Sequence, residues 1–234
     1  MPRIRRVITT RAGGTSAPPY DTFNLSSSSA DDPAATHANR DRLARLIGLS
    51  AERLVGMRQV HGSTVRVVDG PRMPPLEPGD ALVTTQRSLA LVSLAADCAA
   101  LLLADQRSGV IGAAHAGRRG AAAGVALRVV AAMQQQGSQL ADIDVLIGPA
   151  VCGACYEVPA AMRDEVEESL PGSACSTRAG TPGLDIRAGL EQQLTLAGVG
   201  KVVVDPACTM EDRRFYSYRR DGETGRFAGV IWQE

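Results

Sequence analysis

Short apolar runs bounded by Gly, Pro, Asp or Asn recur along the chain, and each predicts a β-strand. They cover Val7–Thr10, Leu54–Val60, Val65–Asp69, Ala81–Thr85, Leu89–Ala95, Ala100–Ala104 and Val110–Ala114. Val145–Ile147, Val202–Val204, Phe215–Arg219 and Phe227–Trp232 complete the set. Three connections are short and turn-like: His61-Gly62-Ser63, Asp105 to Gly109, and Asp221 to Gly225. Each reads as a hairpin, which makes the sheet largely antiparallel. Apolar positions at helical spacing predict helices over Pro33–Ile47, Arg119–Gln136, Pro159–Ser169 and Asp185–Ala197. The first has an N-cap in Asp32, a proline at its first position and a stop in Gly48. Hairpins interspersed with separate helices give an α+β fold. The stretches Gly70–Gly79 and Pro171–Gly183 are rich in Pro and Gly and read as surface loops. With no repeat and no long linker, residues 1–234 are expected to form a single domain.

Composition narrows the function classes. Lys+Arg and Asp+Glu number 25 each, so the formal net charge is zero. That balance excludes nucleic acids and anionic membranes held by a general field, while leaving room for a small anion bound by local arginines. No apolar run reaches the length of a membrane span, and the basic N-terminus MPRIRRVITTRAGG lacks the apolar stretch of a signal peptide. Five cysteines without a dense framework predict free thiols in a reducing compartment, hence a soluble, cytoplasmic protein.

The candidate chemistry lies in few residues. Of three histidines, His37 sits amid polar neighbours in PAATHANRDRL and reads as a solvated helix residue. His61 ends RLVGMRQVHG, His115 ends VIGAAHAG, and Cys98 lies between two apolar strands beside Asp97. Singly, each is as well explained as a packed core residue. Together they offer two imidazoles and a thiolate at strand ends, a donor set that suits zinc with a fourth position open. An open zinc position lowers the pKa of a water there to roughly 7. The rival arrangement is a nucleophilic Cys98 with His61 or His115 as its base. Arg118 and Arg119 open the helix after His115, where free N–H groups and guanidiniums could hold a phosphate. Cys152 and Cys155 have CxxC spacing, but one pair cannot build a four-cysteine site, so structural thiols are the expectation over a redox centre. Cys175 and Cys208 carry no comparable context. In the C-terminal segment, Tyr216, Tyr218 and Arg226 are candidate site-lining residues, with a solvated edge hairpin as the alternative.

The blocks TTRAGGTS, Asn24-Leu25, Asn39-Arg40, RQVHG, ADC, GAAHAGRRG, IGPAVCGACYEV and SYRRDGETGR occur in that order over nearly the whole chain. Together they resemble the laccase-domain family, also labelled multicopper polyphenol oxidases, whose members are described as zinc-dependent purine nucleoside phosphorylases with adenosine deaminase activity, and some as peptidoglycan editing factors. The resemblance implies a layered α/β/β/α domain and puts the metal ligands on His61, Cys98 and His115. It implies adenosine, inosine, guanosine and methylthioadenosine as substrates, with phosphate as the second reactant. Two positions depart from the family pattern: Arg118 stands where Trp is usual in HAGWRG, and Ala100 where Pro often follows the cysteine. The copper label meets a simple count, since a four-copper oxidase needs about ten histidines on imidazole-rich sites, and this chain has three.

The expected function is therefore a zinc-dependent purine nucleoside phosphorylase with adenosine deaminase activity. In it Asp97 transfers protons by adjacency to Cys98, and Arg40 and Arg118 contact phosphate or ribose. Two alternatives stand beside it: a peptidoglycan-precursor editing hydrolase with Cys98 as nucleophile, and a non-catalytic metal-binding interaction protein.

Overall fold

The computed structural model describes residues 3–71 and 77–234. The strands are β1 Ile4–Ile8, β2 Leu54–Val55, β3 Val65–Val67, β4 Ala81–Thr84, β5 Ala90–Ala95, β6 Ala99–Asp105, β7 Ile111–Ala116, β8 Ile143–Ile147, β9 Ala174–Ser176, β10 Pro182–Leu184, β11 Lys201–Val204 and β12 Phe227–Gln233. The helices are α1 Pro33–Leu46, α2 Arg118–Ala122, α3 Val125–Gln135, α4 Ala160–Ser169, α5 Ile186–Leu196 and α6 Tyr218–Asp221. A four-stranded sheet has the order β1-β12-β5-β2, and a six-stranded sheet the order β11-β8-β6-β7-β4-β3. Both are mixed: β2 and β5, β3 and β4, and β8 and β11 pair parallel, and the remaining neighbours antiparallel.

The layering follows from strands that are apolar on both faces. Every residue of β6 is buried. Ala99, Leu101 and Leu103 pack with Val125, Val129 and Met133 of α3 and with Leu190 and Leu194 of α5. Leu102 and Ala104 point the other way, onto Leu91 of β5 and Ile231 of β12. A strand covered on both sides reads as a continuous apolar run, and each fully buried leucine contributes roughly 1.5–3 kcal/mol relative to exposure. The outer face of the four-stranded sheet, with Val92, Val230 and Trp232, is covered by Leu43 and Ala44 of α1. The order is helix, sheet, sheet, helix.

Several expectations are met at the residue level. Asp32 Oδ1 accepts the Ala34 N–H at 2.9 Å, Pro33 begins α1, and Gly48 follows its end with φ +74°. His37 is exposed and pairs with Asp41 one turn on. β6 and β7 form the predicted hairpin across Asp105–Gly109, with Ala100 opposite His115.

Other expectations are corrected. The segment around His61 is not a hairpin: β2 joins the four-stranded sheet and β3 the six-stranded one, so the chain changes sheets there. Phe215–Arg219 is not a strand, because Ser217 caps the short helix α6 by accepting the Arg220 N–H. The single helix predicted over Arg119–Gln136 is two, divided at Gly124, whose φ of +76° is a left-handed conformation that interrupts a helix. Pro171–Gly183, expected to be a loop, contains the antiparallel ribbon β9-β10. Of the loop expected over Gly70–Gly79, residues 72–76 lie outside the described residues.

Candidate active site

Two of the three predicted donors lie on connections between the sheets. His61 belongs to the passage from β2 to β3, and Cys98 to the passage from β5 to β6. His115 is the penultimate residue of β7. Both crossings turn sharply, with φ +60° at His61 and φ +92° at Asp97. Such conformations are uncommon outside glycine and concentrate at functional sites. The ligating atoms of His61, Cys98 and His115 lie within 4.8 Å of one another. The two imidazoles meet edge to face, with centroids 4.8 Å apart. His61 is exposed and His115 buried, so the cluster opens to solvent on one side.

Asp80, which the sequence did not single out, organises the cluster. Its side chain is fully buried. One oxygen, Oδ1, accepts the His61 N–H at 2.9 Å and lies 2.9 Å from His115 Nδ1; Oδ2 accepts the Gly62 N–H at 2.7 Å and the Val60 N–H at 3.3 Å. The Asp80 carbonyl also accepts the His115 N–H at 2.7 Å. With a carboxylate at Nδ1, the neutral form of His115 carries its proton there and presents Nε2 to the cluster, the arrangement common behind metal-ligating histidines. Burial pushes the Asp80 carboxyl up, but His115 and the Gly62 N–H outweigh it and hold the group below the ordinary carboxylate range. Burial also pushes the Cys98 thiol up, and hydrogen bonds and charge from His115 and His61 bring it down to about 6. Burial lowers His115, while Asp80 and Cys98 raise it to about 9. A thiolate between two imidazoles, one backed by a carboxylate, fits a single borderline-soft divalent ion.

The backbone closes the fourth side. A Cβ built on Gly117 would lie 2.8 Å from Cys98 Sγ, 3.0 Å from His61 Cδ2 and 3.6 Å from His115 Cε1. Only glycine lets the chain pass so close to all three. The cluster lies on one side of a cleft of about 530 Å³. Met57, Leu94, Val151 and Ile186 give it an apolar wall, and Arg58, Arg118, Arg219 and Arg226 bring guanidiniums. Arg219 stacks over the Tyr156 ring at 4.9 Å and donates to the Glu157 carbonyl. Arg226 donates to the Thr224 and Gly225 carbonyls. Arg58 and Arg118 have no carboxylate partner among the described residues.

The remaining candidates divide. Tyr218 and Arg226 line the cleft. Tyr216 does not; it is fully buried, with its hydroxyl donating to the Tyr20 carbonyl at 2.7 Å. Arg40 is not among the cleft residues, and its guanidinium donates to the Leu54 carbonyl at 3.1 Å. Asp97 lines the cleft, but Oδ1 accepts the Thr209 hydroxyl and Oδ2 the Arg219 N–H, both at 2.7 Å. Its carboxylate is thus engaged in holding the C-terminal segment against the Cys98 turn. Among the described residues, no helix is long and apolar enough to cross a membrane.

The sequence profile of the family described as multi-copper polyphenol oxidoreductase laccase matches residues 5–234. The chain belongs to this family. Among its laccase-family relatives, a Mycobacterium tuberculosis protein named purine nucleoside phosphorylase is 56% identical over 232 residues, 99% of this chain and 93% of that one. A Corynebacterium glutamicum protein of the same name is 51% identical over 231 residues, covering 98% and 94%. In three dimensions, the chain resembles YlmD from Geobacillus stearothermophilus (TM-score 0.91, 32% identity, 99% and 92% covered). It also resembles a Bacillus licheniformis protein, YfiH (TM-score 0.91, 30% identity, 98% and 92% covered).

Proposed function

We propose that the protein is a purine nucleoside phosphorylase whose cleft binds a zinc ion through His61, Cys98 and His115. The observation that carries this reading is the juxtaposition, in one cleft, of a soft donor triad, an apolar wall and two guanidiniums without carboxylate partners among the described residues. An apolar wall suits a purine, and free guanidiniums suit phosphate. The names of relatives at 51% and 56% identity agree with it.

Arg118 and Arg58 hold the phosphate dianion at the cleft. One phosphate oxygen forms a bond to ribose C1′ as the C1′–N9 bond breaks, its electron pair leaving with the purine, which takes up a proton. The products are the free base and ribose 1-phosphate. Zinc, when bound, supplies a Lewis acid that stabilises negative charge on a reacting oxygen or nitrogen. Asp80 keeps the His115 Nδ1 proton in place, and Gly117 keeps the centre free of any side chain. Deamination of adenosine, in which water adds at C6 and ammonia leaves, is proposed for the same cleft. Asp97, with both oxygens engaged, has a positioning task in this scheme.

The test is to load the purified protein with zinc and incubate it with adenosine or inosine, with and without phosphate. Phosphate-dependent release of adenine or hypoxanthine is expected, and its absence at full zinc occupancy overturns the reading. Cys98→Ser should lose zinc and activity together. The depressed Cys98 thiol beside the raised His115 is the observation favouring the second reading, a hydrolase in which Cys98 is the nucleophile. In that case Cys98→Ser abolishes turnover while zinc stays bound.

A further inference from the structure

A second cluster of soft donors lies outside the cleft lining, next in sequence to two residues of it, Val151 and Tyr156. Cys152 and Cys155 come from the loop after β8, and Cys208 and Glu211 from the loop after β11. Their four ligating atoms lie within 4.8 Å of one another. The two pairs share one spacing, Cys-x-x-Cys and Cys-x-x-Glu, and one backbone form. The Cys152 carbonyl accepts N–H bonds from Cys155 at 3.0 Å and Tyr156 at 2.9 Å; the Cys208 carbonyl accepts them from Glu211 at 3.1 Å and Asp212 at 2.8 Å. Each pair therefore leaves a single tight turn with both donors on the same side, the way paired ligands leave the turns of structural zinc sites. The turns are joined: Ala150 and Cys208 form a parallel bridge, and the Cys152 N–H donates to Cys208 Sγ at 3.4 Å.

We propose that Cys152, Cys155, Cys208 and Glu211 form a second metal site, closed and of the structural zinc class, distinct from the triad in the cleft. Four protein donors leave no position for a reactant, which separates it in kind from a three-ligand site. A tetrahedral zinc with Zn–S near 2.3 Å places its sulfurs about 3.8 Å apart, so donors within 4.8 Å reach it by shifts of about 1 Å or less. Binding expels three thiol protons to solvent, and the three thiolates and one carboxylate then exceed the ion's charge. Arg178 answers that excess: its guanidinium donates to Glu211 Oε1 at 2.6 Å, leaving the other carboxylate oxygen for the ion, and its N–H donates to the Ala154 carbonyl inside the Cys-x-x-Cys turn.

The site has a task that needs no turnover. Thr209, next to Cys208, donates its hydroxyl to Asp97, and the Val151 N–H, next to Cys152, donates to the Asp97 carbonyl at 3.0 Å. An ion joining the two turns fixes both loops that grip the residue before Cys98. It would be a positioning site for the cleft.

The experiment is metal analysis on the intact chain, expressed with zinc and kept under reductant. Wild type should carry two zinc ions per chain. The double variant Cys98→Ser/His115→Ala should still carry one, and its cobalt-substituted form should keep an intense sulfur-to-cobalt charge-transfer band, which can then come only from the second site. Glu211→Gln, which preserves all three thiols, should weaken that remaining ion at least tenfold in a chelator competition and lower the Tm of the zinc-loaded protein. The proposal is overturned if Cys98→Ser/His115→Ala binds no metal, or if the reduced, zinc-supplied protein holds Cys152 in a disulfide. Neither readout uses nucleoside turnover, so failure of the phosphorylase reading leaves the metal count decisive by itself.

Discussion

Replacing Gly117 by alanine perturbs the cleft at its tightest point. The added carbon would lie 2.8 Å from Cys98 Sγ, whereas non-bonded heavy atoms rest about 3.5–4.0 Å apart. Relief therefore requires a movement of roughly 0.7–1.2 Å, shared between the backbone and the triad. The backbone itself accepts alanine, since Gly117 has φ −78° and ψ 168°. Losing glycine's freedom in the unfolded chain favours the variant by about 0.4–1 kcal/mol, against about 1–3 kcal/mol for overpacking. The net cost is between about zero and 2.6 kcal/mol, a fall in Tm of no more than roughly 10 °C at this chain length. Function should suffer far more, because a misplacement of about 1 Å at a reacting centre costs on the order of a hundredfold. The assay pairs kcat/KM on inosine and zinc affinity by chelator competition with a thermal melt. Gly70→Ala, where a Cβ meets nothing within 4 Å among the described residues, is the control for the substitution itself. A Gly117→Ala protein with wild-type zinc affinity and a rate within twofold of wild type would refute the reasoning.

Asp80→Asn places an amide among four N–H donors, so every orientation turns its NH₂ toward two of them. A stability loss of about 1–3 kcal/mol in urea unfolding, and a metal affinity lower by about 10–100-fold, are expected. Arg118→Ala and Arg58→Ala should each raise the KM for phosphate by roughly 10–100-fold, the worth of a charge-assisted hydrogen bond, with zinc content unchanged. Asp105 is raised by burial, but the Ser108 hydroxyl and N–H and the Arg107 N–H outweigh that and lower it overall. Its contribution to stability is thus complete above the unfolded carboxylate pKa near 4 and is lost as pH falls through the depressed folded value. Unfolding titrations from pH 5 to pH 2.5 should show a shallower acid loss in Asp105→Asn than in wild type.

The sheet centre was legible in the sequence because β5, β6 and β7 are apolar on both faces and their runs stand out unaided. The triad was legible because histidine is rare here and each donor ends an apolar run. Turn chemistry was less informative. A glycine after His61 serves a hairpin and a change of sheet equally well, and only long-range pairing of β2 with β5 decides between them. The same limit hid Asp80, which is a carboxylate between a proline-rich stretch and a strand until the fold brings His61 and His115 onto it. Gly117 gave no signal because its contribution is the absence of a side chain. Cys208 had no visible partner along the chain, since its turn meets that of Cys152 only through the bridge to Ala150.

Because His61 and Cys98 hang from crossings between the sheets while His115 belongs to the six-stranded sheet alone, the distances among the three donors depend on how the two sheets are seated on each other. That seating rests on the layer between them, on Leu91, Leu102, Ile111 and Ile231, none of which touches the cleft. Altering the shape of that layer is expected to change the spacing of the donors from a distance. Packing that, by its chemistry, looks purely structural thus bears on how the donors meet.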